Sequence, residues 1–348
     1  MPADATPGVV GEPLPRGAGQ WVPVAWESLP GWNRDDLQLA WQAWLRSCER
    51  PAPAWQRLCP AVRQLILATD EERRTWMQTH LQAYRVQQAQ GSDTGLLTGY
   101  YEPQMQARRK PDAIYRYPLY QTPSGANLRK PWLSRQEIES ADTPPAALRG
   151  REIAYLADAV DVLIVQIQGS GRLAIQEPDG RRSTVRLAFA GTNEQPYQSV
   201  AKGLLERREI RDASWPSIKA WVKANAGNPE RVNQMFWSNP RVVFFREEPL
   251  PADAQAGPRG AQGVPLTAGR SIAVDRQSIP YGTPVWLSTR GDTLQLNRLV
   301  MAQDTGSAIV GAVRADFFTG SGDEAGDVAG RLKQPLQLWA IWPRGGQP

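Results

Sequence analysis

Two aspartates near the C-terminus carry the strongest signal for chemistry in this 348-residue sequence. Asp304 leaves an apolar stretch and enters a turn with Gly306, and Asp316 follows before Phe317 and Phe318. Glycosidic acid catalysis needs a carboxyl group that stays protonated near neutral pH, and apolar surroundings favour that form. Two carboxylates on tight turns beside apolar residues therefore predict an acid/base site, although aspartates that only cap turns or helices would show the same pattern.

The other catalytic residue types are scarce. His80 is the only histidine, and Cys48 and Cys59 are the only cysteines. This inventory excludes a structural zinc site and disfavours a histidine-assisted nucleophile, because His80 falls in a predicted surface helix. If the protein is an enzyme, carboxylates do its chemistry, and we expect neither a metal nor a cofactor. The two cysteines flank a proline-containing turn, which leaves a disulfide and two free thiols equally open.

An aspartic protease is an alternative reading of the same residues. Asp304-Thr305-Gly306 is the active-site motif of pepsin-like proteases, and a second Asp-Thr-Gly occurs at 93–95. That copy follows the polar run QQAQGS and a helical segment, whereas a protease lobe would place it after an apolar strand. The context therefore disfavours a pepsin-like aspartic protease.

Two further clusters suit a hydroxyl-rich ligand. They are Leu97 to Pro103, with two tyrosines, and Val165 to Gly171, with two glutamines and a serine. Tyrosine rings stack on sugars, and amide and hydroxyl groups bind hydroxyls. Gly169-Ser170-Gly171 is a poor phosphate loop, because a strand rather than a helix is predicted after it.

The composition allows two domains, or one domain with a large insertion. Net charge is +5 and 41% of the residues are hydrophobic. No apolar run approaches the roughly 20 residues of a membrane helix. There is no basic block or aromatic-rich nucleic-acid signature, so we expect no nucleic-acid partner. The Pro/Gly-rich N-terminus lacks an apolar signal core, so either the protein is cytosolic or Met1 replaces a removed export signal.

The elements that must position these residues change character along the chain. Residues 33–87 predict three helices, with Asn33 as the first cap, a break at Pro51 and Pro53, and a capping box formed by Thr69 and Glu72. The tryptophan-rich stripe of these helices favours core packing over a sugar platform. From Leu96 onward the sequence predicts short strands, at LLTGYYEP, YRYPLYQ, VDVLIVQIQG, GRLAIQ, RSTVRLAFAG, RVVFF, RSIAV, TPVWLS, LQLNRLVMAQD and LQLWAIW.

Helices interrupt these strands without forming βαβ units. The predicted helices follow a cap at Ser134 with Glu137, or span 196–207, 214–225, 229–237 and 320–331, and 249–263 predicts a loop. Short strands without βαβ alternation predict a mainly β fold with helical additions, built from β-barrels rather than a parallel doubly wound sheet.

Together these clusters resemble the MltA family of membrane-bound lytic transglycosylases. The resemblance extends from residue 29 to the end of the chain. Its most specific parts are LTGYYEP, IQGSG, FAGTNEQPYQSVAKGLL, GVPLTAGRSIAVDRQSIPYGTPVWL, and DTGSAIVG followed by RADFFTGSGDEAGDVAG. The resemblance implies a double-psi β-barrel catalytic domain made from residues 1–102 and 241–348. It also implies a smaller inserted β-barrel-like domain, residues 103–240, that binds substrate, with a groove for the glycan between the two.

The resemblance also implies an activity and a set of site residues. The family cleaves the β-1,4 bond between N-acetylmuramic acid and N-acetylglucosamine in peptidoglycan without water, forming 1,6-anhydro-N-acetylmuramic acid. Asp316 matches the family's acid/base and Asp304 its second aspartate, although Ser307 and Val310 replace the usual glycine and lysine of that motif. The positions implied to bind substrate are Thr98, Tyr100, Tyr101, Gln168, Ser170, Tyr197 and Lys202.

The family setting is the cell envelope. The resemblance implies a periplasmic protein, attached to the outer membrane through a removed lipoprotein signal. It further implies peptidoglycan glycan strands as substrate, and partners among cell-wall synthesis or division proteins. A non-catalytic peptidoglycan-binding barrel is the alternative from another functional class, and the presence of both Asp304 and Asp316 argues against it.

Overall fold

The computed structural model describes residues 11–125, 129–141, 143–253 and 255–345, so predictions on residues 1–10 lie outside the described residues. The chain divides into two compact units. Unit 1 comprises the described residues up to Tyr100, Gln255–Gly320, and those from Arg331 onward. Unit 2 comprises the described residues of Tyr101–Ala254, together with Ser321–Gly330.

Strands predominate in unit 1, whereas unit 2 contains strands and helices in similar amounts. The strands are β1 (Leu14–Arg16), β2 (Gly19–Val24), β3 (Leu81–Gln88), β4 (Gly95–Glu102), β5 (Gln104–Arg108), β6 (Tyr117–Tyr120), β7 (Glu152–Leu156), β8 (Gly171–Gln176), β9 (Arg182–Thr192), β10 (Val243–Pro249), β11 (Ala256–Arg259), β12 (Pro265–Thr267), β13 (Ser271–Val274), β14 (Pro284–Arg290), β15 (Gln295–Asp304), β16 (Arg314–Ser321) and β17 (Lys333–Pro343).

Among the described residues, the α-helices are fewer than the strands. The α-helices are α1 (Leu37–Ser47), α2 (Cys59–Gln64), α3 (Asp70–His80), α4 (Arg135–Glu139), α5 (Ala159–Gln168), α6 (Val200–Glu206), α7 (Trp215–Ala224), α8 (Pro229–Trp237) and α9 (Asp323–Arg331). Single 3-10 turns occur at Trp26–Ser28, Trp32–Arg34, Pro53–Trp55, Leu65–Leu67 and Ala146–Leu148. Among the described residues, no helix is long and apolar enough to span a membrane.

The large sheet of unit 1 closes on itself. Its ring runs β17-β14-β15-β13-β16-β4, and β4 pairs back onto β17 through Thr98 opposite Lys333. Strands β1, β2 and β3 extend the sheet outward from β17. Strand β13 runs parallel to β15 and antiparallel to β16. The prediction of a mainly β protein with helical additions and a barrel is confirmed.

The tryptophan-rich stripe forms core, as predicted. Trp41, Trp44 and Trp55 are at most 2% exposed. The ring centroids of Trp41 and Trp44 lie 4.9 Å apart, and those of Trp44 and Trp55 lie 5.6 Å apart. Large aromatic side chains bury much apolar surface and gain from such tilted and edge contacts. These rings therefore pack the N-terminal helices against the barrel and leave no exposed sugar platform.

The predicted helical region differs from the structure at two ends. Helix α1 is capped by Asp36, whose carboxylate accepts from the Gln38 N–H, and not by Asn33. The Thr69 capping box of α3 is confirmed, but α3 ends at His80 and the chain continues as β3. Pairing of β3 with β2 and β17 fills the sheet and overrides the weak helical pattern after residue 80.

The two cysteines are joined. Cys48 caps the C-terminus of α1, Cys59 begins α2, and their sulfur atoms form a disulfide. The alternative of two free thiols is thereby removed. The bond closes the proline-containing turn that separates the first two helices.

Unit 2 contains a six-stranded sheet in the order β10-β9-β8-β5-β7-β6, with β5 and β8 parallel. The segment VDVLIVQIQG, predicted as a strand, is helix α5, so that prediction is wrong. Asp158 accepts from the Val160 N–H at its start, and Gly169 ends it with a φ of 75°. A fully buried apolar run has the same composition in a helix and in a strand, so the end signals decide.

Two segments that the sequence-based division places in the barrel domain belong to unit 2 in the structure, and a third, predicted as a loop, contains a strand. Residues 243–249 form β10, which pairs with β9 and so belongs to unit 2, as do residues 321–330. The predicted loop 249–263 contains strand β11, which pairs with β12. The division at 102/103 and 240/241 stays a prediction.

Candidate active site

The barrel sheet brings Asp304 and Asp316 to the same level. Asp304 ends β15 and Asp316 is the third residue of β16, and each is registered opposite Ala273 of the intervening strand β13. Residues opposite one another in neighbouring strands project to the same face. With strands about 4.8 Å apart, the two Cα atoms lie about 10 Å from each other. Asp316 therefore lies within a strand, and its predicted position on a tight turn is wrong.

A β-bulge sets this alignment. The β13–β15 register shifts after Ile272, so that Asp304 rather than Gln303 comes opposite Ala273. The Gln303 side chain is fully buried; it donates to the Ala43 carbonyl and the Ser47 hydroxyl and accepts from the Ser271 hydroxyl. These bonds fix the bulge, which aims Asp304 into the site.

Strand β4 supplies one hydroxyl to each aspartate. Thr98 Oγ1 donates to Asp316 Oδ1 over 2.5 Å, and Tyr100 Oη donates to Asp304 Oδ2 over 2.9 Å. The two residues are two positions apart on one strand and so share a face. Gly95 permits this close approach, because a Cβ there would collide with the Val313 carbonyl.

The Asp304 carboxylate is fully engaged. Oδ1 accepts from the backbone N–H groups of Ala261 and Thr305, each over 2.9 Å, and Oδ2 accepts from Tyr100. Burial, with a smaller contribution from the charge of Asp316, raises the pKa of Asp304 to about 6 against the lowering effect of these three hydrogen bonds. Asp304 is therefore suited to be a fixed anion that also ties down the loop containing Ala261.

Asp316 is less engaged. Its side chain is half-buried, and the two residues that follow it in the chain, Phe317 and Phe318, are buried. Burial raises the pKa of Asp316, while the Thr98 hydrogen bond and the charge of Arg314 oppose that rise. Within the described residues, Oδ2 has no hydrogen-bond donor, whereas Oδ1 is held by Thr98. A carboxyl group with a raised pKa and one open oxygen can give and take a proton.

Arg314 is a site residue that the sequence analysis missed. Its Nη2 donates to Thr98 Oγ1 over 2.8 Å, and its Nη1 donates to the carbonyls of Ala315 and Leu96. Burial lowers the pKa of Arg314, and the charge of Asp316 opposes this. The one available signal was its position two residues before Asp316, on the same face of a strand. The contribution of Ala261 is a backbone N–H and leaves no mark in the sequence.

The predicted substrate-binding residues of unit 2 lie in different settings. The Tyr101 N–H donates to Gln168 Oε1 over 3.0 Å, and the Tyr101 ring is 8% exposed in the apolar core of unit 2. Ser170 is buried and Tyr197 half-buried. Lys202 is exposed on α6, with its Nζ 3.7 Å from Glu206. The structure thus brings Tyr101 and Gln168 together, and the substrate-binding role of all five stays a prediction.

The geometry disfavours the protease. An aspartic dyad shares one proton between two adjacent carboxyl groups. Asp93, the aspartate of the second Asp-Thr-Gly, instead forms an ion pair of 3.3 Å with Arg85, while Asp304 binds Tyr100. Asp93 and Thr94 of that motif directly precede β4, and Gly95 is the first residue of β4.

Comparison with known proteins matches two separate parts of the chain to family models. Residues 96–246 match the MltA specific insert domain, and residues 270–342 match the 3D domain. The membrane-bound lytic murein transglycosylase A of Escherichia coli K12 is 32% identical over 77% of this chain and 71% of its own length. That of Vibrio cholerae is 32% identical over 71% of this chain, and the match spans 65% of its own length.

Solved structures agree with these matches. The lytic transglycosylase LtgG of Burkholderia pseudomallei is 41% identical, with a TM-score of 0.63 over 97% of this chain and 99% of that one. E. coli MltA with bound chitohexaose is 25% identical, with a TM-score of 0.72 over 95% of this chain and 94% of that one. This chain therefore belongs to the MltA family of membrane-bound lytic murein transglycosylases.

Proposed function

We propose that this protein is a lytic transglycosylase that cleaves the β-1,4 bond between N-acetylmuramic acid and N-acetylglucosamine in peptidoglycan. The observation that carries the proposal is the Asp316 carboxyl group, which combines a raised pKa with one oxygen free of described donors. Family membership supports it, as does the chitohexaose bound to the E. coli relative, since chitohexaose is also a β-linked amino-sugar polymer.

The reaction needs one acid/base group. Protonated Asp316 donates its proton to the glycosidic oxygen as the bond to C1 breaks and an oxocarbenium-like state develops. The Asp316 carboxylate then takes the proton of the C6 hydroxyl of the same muramic acid, and O6 closes on C1. The product is a 1,6-anhydro sugar, and Asp316 is protonated again. Because the attack is intramolecular, its effective molarity is large, and neither an enzymic nucleophile nor a held water is needed.

Asp304 has a different role in this scheme. Its three hydrogen bonds fix an anion at the level of Asp316 on the same face of the sheet. Negative charge at this level favours the positive charge of the developing oxocarbenium ion and favours the protonated form of Asp316. Asp304 thus supports the chemistry through charge and position, without transferring a proton.

The rest of the chain serves the substrate and its location. The barrel part of the chain, 1–102 and 241–348, provides the chemistry. The inserted part, 103–240, binds the glycan through residues that include Gln168 and Ser170, together with Tyr101 just before it in the chain. The relatives are named as membrane-bound. This supports a periplasmic enzyme attached to the outer membrane through a lipoprotein signal, where cell-wall synthesis or division proteins are the expected partners.

Product analysis tests the proposal. Purified peptidoglycan is incubated with the protein, and the soluble fragments are examined by mass spectrometry. The proposal predicts muropeptides that end in 1,6-anhydro-muramic acid, each lighter by one water than the hydrolysed form. Reducing ends that have gained water would make the protein a hydrolase. Binding to peptidoglycan without any soluble product would favour the non-catalytic binding barrel.

A further inference from the structure

The two hydrogen bonds of Thr98 have a fixed direction. An arginine guanidinium has donors and no acceptor, so the Arg314 Nη2 contact must be accepted by Thr98 Oγ1. A threonine hydroxyl has a single proton, and with Arg314 as donor that proton is free to point at Asp316 Oδ1, 2.5 Å away. Asp316 Oδ1 is therefore an acceptor whether or not Asp316 is protonated.

From this geometry we infer that Arg314 and Thr98 are positioning residues that determine which oxygen of Asp316 exchanges the catalytic proton. A proton on Oδ1 would face the Thr98 proton across a single short contact, so the proton of the neutral acid resides on Oδ2. Oδ2 is also the oxygen without a described donor. The inference rests on the proposed function and specifies the atom of Asp316 through which the proposed reaction runs.

The same arrangement explains why an arginine is tolerated beside a general acid. A direct ion pair with arginine lowers a carboxyl pKa by about 1–3 units, which would remove the proton that the first step needs. Here the Thr98 hydroxyl lies between the guanidinium and the carboxylate, and Arg314 Nη1 donates to the carbonyls of Ala315 and Leu96. The cation thus orients the hydroxyl without neutralising the acid directly.

The polar and charged groups that face Asp316 lie on its own strand and on nearby strands of the barrel. Arg314 lies on its own strand β16, Thr98 and Tyr100 lie on the neighbouring strand β4, and Asp304 lies beyond β13. Thr98 contributes a hydrogen bond to the charged form of Asp316. Replacement of that hydroxyl by a methyl group raises the pKa of Asp316, and the fall in activity on the alkaline side moves to higher pH.

The test compares Thr98→Val with the conservative Thr98→Ser. Release of anhydro products from soluble glycan strands is measured as kcat and KM across pH, with thermal unfolding of each variant as the check on folding. Thr98→Val should lose about tenfold in kcat, the size expected for a hydrogen bond to a charged group, with KM unchanged and the alkaline limb at higher pH. Thr98→Ser should restore both kcat and the wild-type profile.

Two further measurements separate a positioning role from a structural one. If Arg314 acts through Thr98, Arg314→Met should lower kcat in the wild type but by less than about threefold in the Thr98→Val background. A ¹³C NMR titration of the Asp316 carboxyl carbon gives its pKa without turnover, so it reports on the inference even if the wild type makes no anhydro product. Independent effects of the two substitutions, or an Asp316 pKa unchanged by Thr98→Val, would overturn the inference.

Discussion

The charge of Asp304 should set the upper pH limit of activity, and Asp304→Asn is the direct perturbation. The substitution keeps the shape of the side chain and removes its charge. The charge of Asp316 raises the pKa of Asp304. Because the interaction energy belongs to the pair, we expect the charge of Asp304 to raise the pKa of Asp316 in return. Without the negative charge of Asp304, Asp316 should lose its proton at a lower pH.

The size of the effect follows from the sheet. The two aspartates lie about two strand spacings apart on one face, or about 10 Å. At an effective dielectric constant of about 20, two unit charges at this distance interact by ~1.7 kcal/mol, equivalent to ~1.2 pH units. Both side chains are half-buried, so water screens part of this, and we expect a shift of about 0.5–1 pH unit.

The assay is the pH dependence of kcat for release of anhydro muropeptides. Because the acid step needs protonated Asp316, the alkaline limb of the pH profile should move to lower pH by about 0.5–1 pH unit. The effect should be confined to pH values above about 6, where Asp304 is charged in the wild type. Asp292→Asn removes the same charge from an exposed turn and should leave the profile unchanged. An alkaline limb that stays in place or moves upward in Asp304→Asn would refute the reasoning.

Two further predictions concern stability and are measured by urea unfolding followed through tryptophan fluorescence. Glu102 is fully buried and accepts from two arginines, one of them Arg172 over 2.7 Å, so Glu102→Gln should lower the free energy of unfolding by about 3–5 kcal/mol. The control Glu206→Gln breaks an exposed ion pair and should change the free energy of unfolding by less than about 1 kcal/mol. Equal effects of the two substitutions would contradict this prediction. Replacing Cys48 and Cys59 by serine opens a loop with a sequence separation of 11, which should cost about 3 kcal/mol, and an unchanged midpoint would argue against the bond in solution.

Much of the secondary structure was predictable because its signals are local. The capping boxes of Thr69 with Glu72 and of Ser134 with Glu137 mark helix starts by hydrogen bonds within a few residues, and both predictions are confirmed. The predicted third helix extended beyond His80, where α3 ends, and a strand was predicted where residues 159–168 form helix α5. Both predictions are wrong. Those outcomes depend on strand pairing and burial, which arise only when distant parts of the chain meet.

The candidate site shows the same division. The aspartates stood out by residue type and by their glycine-rich, apolar neighbourhood, and the family resemblance pointed to the same two. Their common level on the sheet depends on a bulge at Gln303 and on the parallel pairing of β13, neither of which has a sequence signature. The role of Arg314 depends on a hydroxyl that comes from 216 residues earlier in the chain.

The most direct test of the central claim is the cleavage rate of Asp316→Asn on purified peptidoglycan, beside its binding to the same material. Asparagine keeps the shape and can accept from Thr98, but it has no acidic proton to give. Binding should stay close to wild type, and the release of anhydro product should fall by at least about 100-fold, the lower range for one acid/base group. Cleavage by Asp316→Asn at the wild-type rate would contradict the central claim.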